Sequence, residues 1–277
     1  MKTALVLLTT FLLNASRLFA DMAILVALPS EQGVLSKKLR MVGQPVAIAG
    51  HRLFVGYRKG EKVYFTRTGA GNLKSAMVAE ALLARYKIDR IISIGVAGNL
   101  NEKWAVGDVL CVTNVVSHQE GKETPAGFEI AEEPSARQLS EQYKAKCEQL
   151  EKMAAEIAAG MLLPQNDGAA NRQSQITVHE GRLVSGDTFI ASMQKRKWLH
   201  ETFHADAVDM ISAGIARVCE ANGVPYVIIR AVSDNADESA AADFAAFLQR
   251  YKEPITAQIA VGIIDRVAAE TAHPLTK

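Results

Sequence analysis

Cysteine, aromatic residues and excess charge are all scarce in this sequence. Three cysteines, Cys111, Cys147 and Cys219, stand among 277 residues. They are too few and too scattered for a disulfide framework or a Cys-rich zinc site, and their odd number leaves at least one thiol outside any intrachain pair. Lys and Arg number 31 and Asp and Glu 30, a net charge of +1. The chain therefore lacks the basic excess of a nucleic-acid binder. No apolar run reaches the roughly 20 residues of a membrane-spanning helix. Internal repeats and low-complexity linkers are absent too.

What is there is a globular composition. Hydrophobic residues make up 49% and charged residues 22%, enough to bury a sizeable core. The first twenty residues stand apart. Lys2 precedes an apolar run over residues 4–13, and a less apolar stretch ends Leu18-Phe19-Ala20. A basic start, a short apolar run and a small residue before a cut form a secretory signal. Residues 1–20 are therefore predicted to be an export signal and 21–277 the working domain, in a secreted or periplasmic protein. The loss of Lys2 and Arg17 would turn the balance slightly acidic.

Beyond residue 21, short β-branched runs alternate with helical patterns. Residues 23–28, 90–94, 108–116, 176–184, 205–210 and 226–232 read as strands, and 52–57 and 62–67 flank a hairpin pair, Lys59-Gly60. Residues 73–86, 135–161, 212–221 and 240–271 read as helices, the last interrupted at Pro254, and 164–175 as a loop. This order predicts one α/β domain with a mixed, mostly parallel central sheet under helices on both faces. In such sheets ligands collect at the carboxyl ends of the strands.

Several motifs fall at those ends. Thr68-Gly69-Ala70-Gly71-Asn72 and Gly95-Val96-Ala97-Gly98-Asn99 each follow a strand. Glycines there let backbone N–H groups approach a ligand, and two such loops suggest one pocket wall. Neither is a dinucleotide fingerprint, because Lys74 holds the third glycine's place, and no Walker Lys-Ser/Thr follows. Phe189, in Val184-Ser185-Gly186-Asp187-Thr188-Phe189-Ile190, reads either as core packing or as a ring for stacking. Asp234, in Ser233-Asp234-Asn235-Ala236-Asp237, reads either as a helix cap or as an acid–base group. Glu31 reads as surface or site. His200-Glu201-Thr202-Phe203-His204 matches the zincin pattern H-E-x-x-H. It lies in a basic stretch with no third ligand after it, and so reads as a solvated helix.

Taken in order, Glu31, Thr68–Asn72, 95–100, 184–190, 208–216 and 229–237 resemble the nucleoside phosphorylase/nucleosidase superfamily, most of all the 5′-methylthioadenosine/S-adenosylhomocysteine nucleosidases. The resemblance runs over residues 22–271. It implies a single α/β domain around a mixed, barrel-like central sheet and cleavage of a purine N9–ribose C1′ bond in a homodimer, with a small purine nucleoside as partner, no nucleic acid, and no metal or organic cofactor. It implies Asp234 as the acid that protonates the base at N7 and Glu31 as the group that activates water. Phe189 would stack on the purine and the Ile190 backbone would read its edge. Met210 would lie beneath the ribose. Val96, Ala97, Gly98, Asp209 and Ser233 complete the expected binding set, with Val96 standing where the family commonly has a small polar residue.

Two departures matter. Ile211 stands where the family has a glutamate that holds the ribose 2′- and 3′-hydroxyls, and a charge-assisted bond of that kind is worth roughly 1.5–3 kcal/mol. Asp209 or Ser212 is a possible substitute. The segment between Ser117 and Phe128 is also shorter than the family's loop over the 5′ substituent. Three functions follow: hydrolysis of purine nucleosides; a non-catalytic purine or nucleoside binder, on the strength of Ile211; and phosphorolysis, which uses arginines that these glycine loops lack.

Overall fold

The computed structural model describes residues 21–131, 139–164 and 173–272. The proposed signal, residues 1–20, lies outside them. The apolar run of β1 (Asp21–Val26) is buried on both faces. Met22, Ile24 and Val26 pack into one core and Ala23 and Leu25 into another. That is the strand alternation of side chains, with helices covering both sides.

Parallel pairing joins β1 to β5 (Glu61–Arg67) on one edge and to β6 (Ile88–Asn99) on the other. β4 (His51–Arg58) returns antiparallel on β5. At their turn Lys59 and Gly60 both have positive φ, 49° and 90°, as a two-residue type I′ hairpin needs. β2 (Arg40–Met41) and β3 (Val46–Ile48) flank β4. On the other side the order runs from β6 to β14 (Tyr226–Asp234), β7 (Val109–Ser117), β12 (Val178–Ser185) and β13 (Ala207–Asp209). β13 then pairs back on the end of β6, closing the ring. The central sheet is mixed, as the alternation of patterns predicts, and barrel-like, as the family resemblance implies.

One layer of helices consists of α1 (Pro29–Lys38), α3 (Glu141–Ala159) and α7 (Ile255–Ala272), and the other of α2 (Asn72–Arg85) and α5 (Ser212–Asn222). α1 opens on Pro29, whose missing N–H and fixed φ suit a first turn, and closes on Lys37 and Lys38, which complement the helix dipole. α3 is capped by Ser140, whose Oγ accepts from the Tyr143 N–H. α4 (Met193–Phe203) follows β12, and α6 (Ala240–Arg250) follows β14.

The differences from the sequence-based expectation are local. The predicted loop 164–175 is bracketed by a short antiparallel pair, β10 (Leu162–Pro164) and β11 (Gln173–Gln175). The strand expected at 205–210 spans only Ala207–Asp209, because β13 has partners only where the ring closes. Between Ser117 and Phe128 the chain begins a hairpin, β8 (Gly121–Thr124) with β9 (Gly127–Ile130). Among the described residues no helix is long and apolar enough to cross a membrane.

Candidate functional site

The carboxyl ends of β1, β6, β13 and β14 meet around a cleft of about 260 Å³. Both glycine loops reach it, through Gly69 and Ala70 and through Val96, Ala97 and Gly98. Phe189, Ile190, Asp209, Met210, Ile211, Ser233 and Asp234 also line it, so ten of the expected binding and acid residues, from Val96 to Asp234, face one space. Glu31 does not. It stands behind the wall made by Ala27 and Leu28.

Asp234 owes its place to a break in register. β14 pairs with β6 through Val232 opposite Ala97, and then Asp234, not Ser233, opposes Gly98. The extra residue is a β-bulge, which bends a strand and re-aims its side chains. Ser233 Oγ donates to Asp234 Oδ2 at 2.7 Å and the Ala236 N–H to Oδ1 at 3.0 Å. The carboxyl is 2% exposed. Burial pushes its pKa up, against the pull of those two hydrogen bonds and with help from Asp243 and Asp237. Gly98 makes the approach possible, since a Cβ there would stand 3.0 Å from Asp234 Oδ1.

Glu31 sits in the first turn of α1 and is fully buried. Its Oε2 accepts from the N–H groups of Ala27, at 3.1 Å, and Leu28, at 2.9 Å. Its Oε1 accepts from Thr256 Oγ1 at 2.8 Å. Burial raises its pKa, and these donors, with the charge of Arg230, oppose the rise. Leu28 and Val96 also line a small neighbouring cavity of about 10 Å³ with Ser30 and Thr256, the residues around Glu31. That is room for about one water molecule.

The wall carrying Ile211 is tied down throughout. Arg230, fully buried, donates Nε to Asp209 Oδ2 at 2.8 Å, Nη2 to Ser212 Oγ and Ser93 Oγ, and Nη1 to the carbonyls of Ser93 and Ile229. Asp209 Oδ1 accepts from the N–H groups of Ile211 and Ser212, and Oδ2 also from Ser212 Oγ. Asp209 and Ser212, the substitutes considered for the missing glutamate, are therefore bonded to each other and to Arg230. Ile211 itself is 4% exposed. Phe189, by contrast, is 45% exposed and tilted against Phe244, so it is no core ring.

Sequence reasoning missed Phe244, which reads as an ordinary apolar position of α6, and Thr256, whose partner is 225 positions away. Arg230 had a signal, a lone charge in an apolar strand. The zincin-like run holds no metal site. His200 Nδ1 donates to the Ala205 carbonyl at 2.8 Å, and His204 is the left-handed cap that ends α4. Among the described residues no group of three or more His, Cys, Asp or Glu is placed to hold a metal ion.

A closed strand ring, with an apolar cleft at the strand ends and a buried acid on a bulge, defines a nucleoside phosphorylase-like protein. The matches to known proteins agree. Residues 21–264 match the family described as Phosphorylase superfamily. The chain belongs to that superfamily. It is 31% identical over 225 residues to a 5′-methylthioadenosine/S-adenosylhomocysteine nucleosidase of Staphylococcus aureus, covering 81% of this chain and 90% of that protein. Its fold is similar to futalosine hydrolase of Helicobacter pylori, with a TM-score of 0.71 and 23% identity over 91% of this chain and all of that one. It is also similar to the nucleosidase of Neisseria meningitidis in complex with methylthio-immucillin-A, with a TM-score of 0.70 and 25% identity over 89% of this chain and 99% of that one.

Proposed function

We propose that this protein hydrolyses the N-glycosidic bond of purine nucleosides. The observation that carries the reading is Asp234, a buried carboxyl with a raised pKa at the edge of an apolar cleft. A purine leaves C1′ poorly as an anion, so a proton must reach its N7 as the bond stretches. A carboxyl that keeps its proton above the usual carboxylate range can give it. Glu31 is the proposed base for the attacking water. It lies behind Leu28, so the water it activates has to reach C1′ past Leu28 and Val96, which line both the cleft and the small cavity beside Thr256. Phe189 and Phe244 offer ring faces to the base. The nucleosidase relatives make methylthioadenosine and S-adenosylhomocysteine the first substrates to try.

Hydrolysis is favoured over phosphorolysis because, among the described residues, no Arg, Lys or His lines the cleft. Arg230, the nearby cation, already serves five acceptors. A second reading, a binder without turnover, is favoured by Ile211 alone. Free base released from methylthioadenosine, S-adenosylhomocysteine, adenosine and inosine, with and without phosphate, separates the readings. Hydrolysis gives release that ignores phosphate, and Asp234→Asn lowers it by about 10²–10⁴-fold, the range for a lost general acid. Release that needs phosphate would make it a phosphorylase. No release, with adenine still raising the melting temperature, would make it a binder.

A further inference from the structure

The cleft lining is largely apolar, its polar side chains being Thr188, Asp209, Ser233 and Asp234. Asp234 and Ser233 stand side by side on β14, and Ser233 Oγ lies within bonding distance of both Asp234 Oδ2 and the Ala97 carbonyl. Along the wall from Asp209 to Ile211, each acceptor already receives a bond from the protein. The Asp209 carbonyl accepts from Gly186 N–H at 3.0 Å and the Met210 carbonyl from Gly71 N–H at 2.9 Å. The Ile211 carbonyl accepts from Ser75 Oγ at 2.8 Å. The Asp209 carboxylate takes four donors, from Ile211, Ser212 twice and Arg230. Met210 and Ile211 bring apolar side chains to the same lining, as do Val96 and Leu28.

Asp234 shares its cleft with this wall, so a nucleoside whose purine is at Asp234 has the wall to receive its sugar. A ribose hydroxyl on this wall finds only acceptors that already hold a protein donor, and a poorly met hydroxyl in an apolar setting costs binding. A sugar carbon without the hydroxyl meets Ile211 and Val96 at no such cost. We infer that the site takes purine nucleosides deoxygenated on the 2′,3′ edge of the sugar, of which purine 2′-deoxynucleosides are the simplest. The inference rests on the nucleosidase reading and names its substrate class.

Binding is measured first, because a 2′-deoxy sugar also weakens the glycosidic bond by itself. With the full chain carrying Asp234→Asn, equilibrium dialysis against adenosine, 2′-deoxyadenosine, 2′,3′-dideoxyadenosine and adenine should give affinities that rise as hydroxyls are removed. About tenfold between adenosine and the dideoxynucleoside is expected, equivalent to about 1.4 kcal/mol. Adding Ile211→Glu, which supplies the missing acceptor, should reverse that order. Adenosine bound as tightly as the deoxynucleosides would overturn the inference and leave the nucleosidase reading standing. Adenine bound without any nucleoside would overturn both. Should the buried glutamate prevent folding, the ligand order with Ile211 in place decides alone.

Discussion

Asp234 holds its proton by being buried, and that has a cost that can be measured. The folded protein keeps a proton that the unfolded chain gives up in the ordinary carboxylate range. The stabilisation is full in acid and is lost as pH climbs through the raised value. Asparagine has no charge to bury. Asp234→Asn should therefore melt at a higher temperature than the natural protein at neutral pH, and the difference should vanish below about pH 4, near the model-peptide value for Asp. A scanning calorimeter at several pH values reads this directly; an Asp234→Asn protein less stable at neutral pH would contradict it. Arg230 is the opposite case, a permanent charge whose partners are all internal. Arg230→Met should destabilise by about 3–5 kcal/mol in urea, because the Asp209 carboxylate is left buried without its cation. Joint replacement of Asp209 by Asn should recover part of that loss. The sequence shows a lone arginine among apolar residues and an aspartate two positions before Ile211. That they meet depends on β13 and β14 both joining the ring, which no local pattern reveals.

At the scale of elements, the cleft depends on how α2 and α5 pack. Gly214 is where they touch, and a Cβ there would lie 2.2 Å from the Asn72 carbonyl oxygen. Asn72 opens α2, and its side-chain Oδ1 accepts from the Gly214 N–H and from Ser185 Oγ, linking three strand ends. Gly214→Ala should cost about 1–3 kcal/mol, as overpacking does. It should also weaken ligand binding, since Gly69 and Ala70 precede α2. Urea melts and a ligand titration together check both effects. The glycine loops, the hairpin at Lys59-Gly60 and the helix break at Pro254 were legible, because Gly and Pro act through local backbone geometry. The bulge at Ser233 was not. Register is a relation between strands, and nothing in Arg230-Ala231-Val232-Ser233-Asp234 states which residue will go unpaired. The same limit hid the depth of Glu31, which depends on Thr256 in the last helix.

For the whole molecule, the family resemblance carried most of the fold, and the physical reading supplied the parts that depart from it. Assembly is a proposal. Leu73 and Met77, four apart on α2, are 70% and 54% exposed beside the Gly69–Ala70 loop. An apolar pair at helical spacing on that face supports a homodimer. Sedimentation should give twice the chain mass, and Leu73→Lys with Met77→Lys should halve it. Export is likewise a proposal, tested by N-terminal sequencing of the protein recovered from the periplasm, where a chain beginning at Asp21 is expected.

The largely apolar lining of the cleft also sets how occupancy will register thermally. Surface like that around Val96, Met210 and Ile211 is hydrated by water with few anchoring partners, and a ligand that displaces it brings a negative heat-capacity change. With no cation on the lining, ionic strength has little to screen. Affinity should therefore drift with temperature and stay flat in salt, the opposite of a site built to grip an anion.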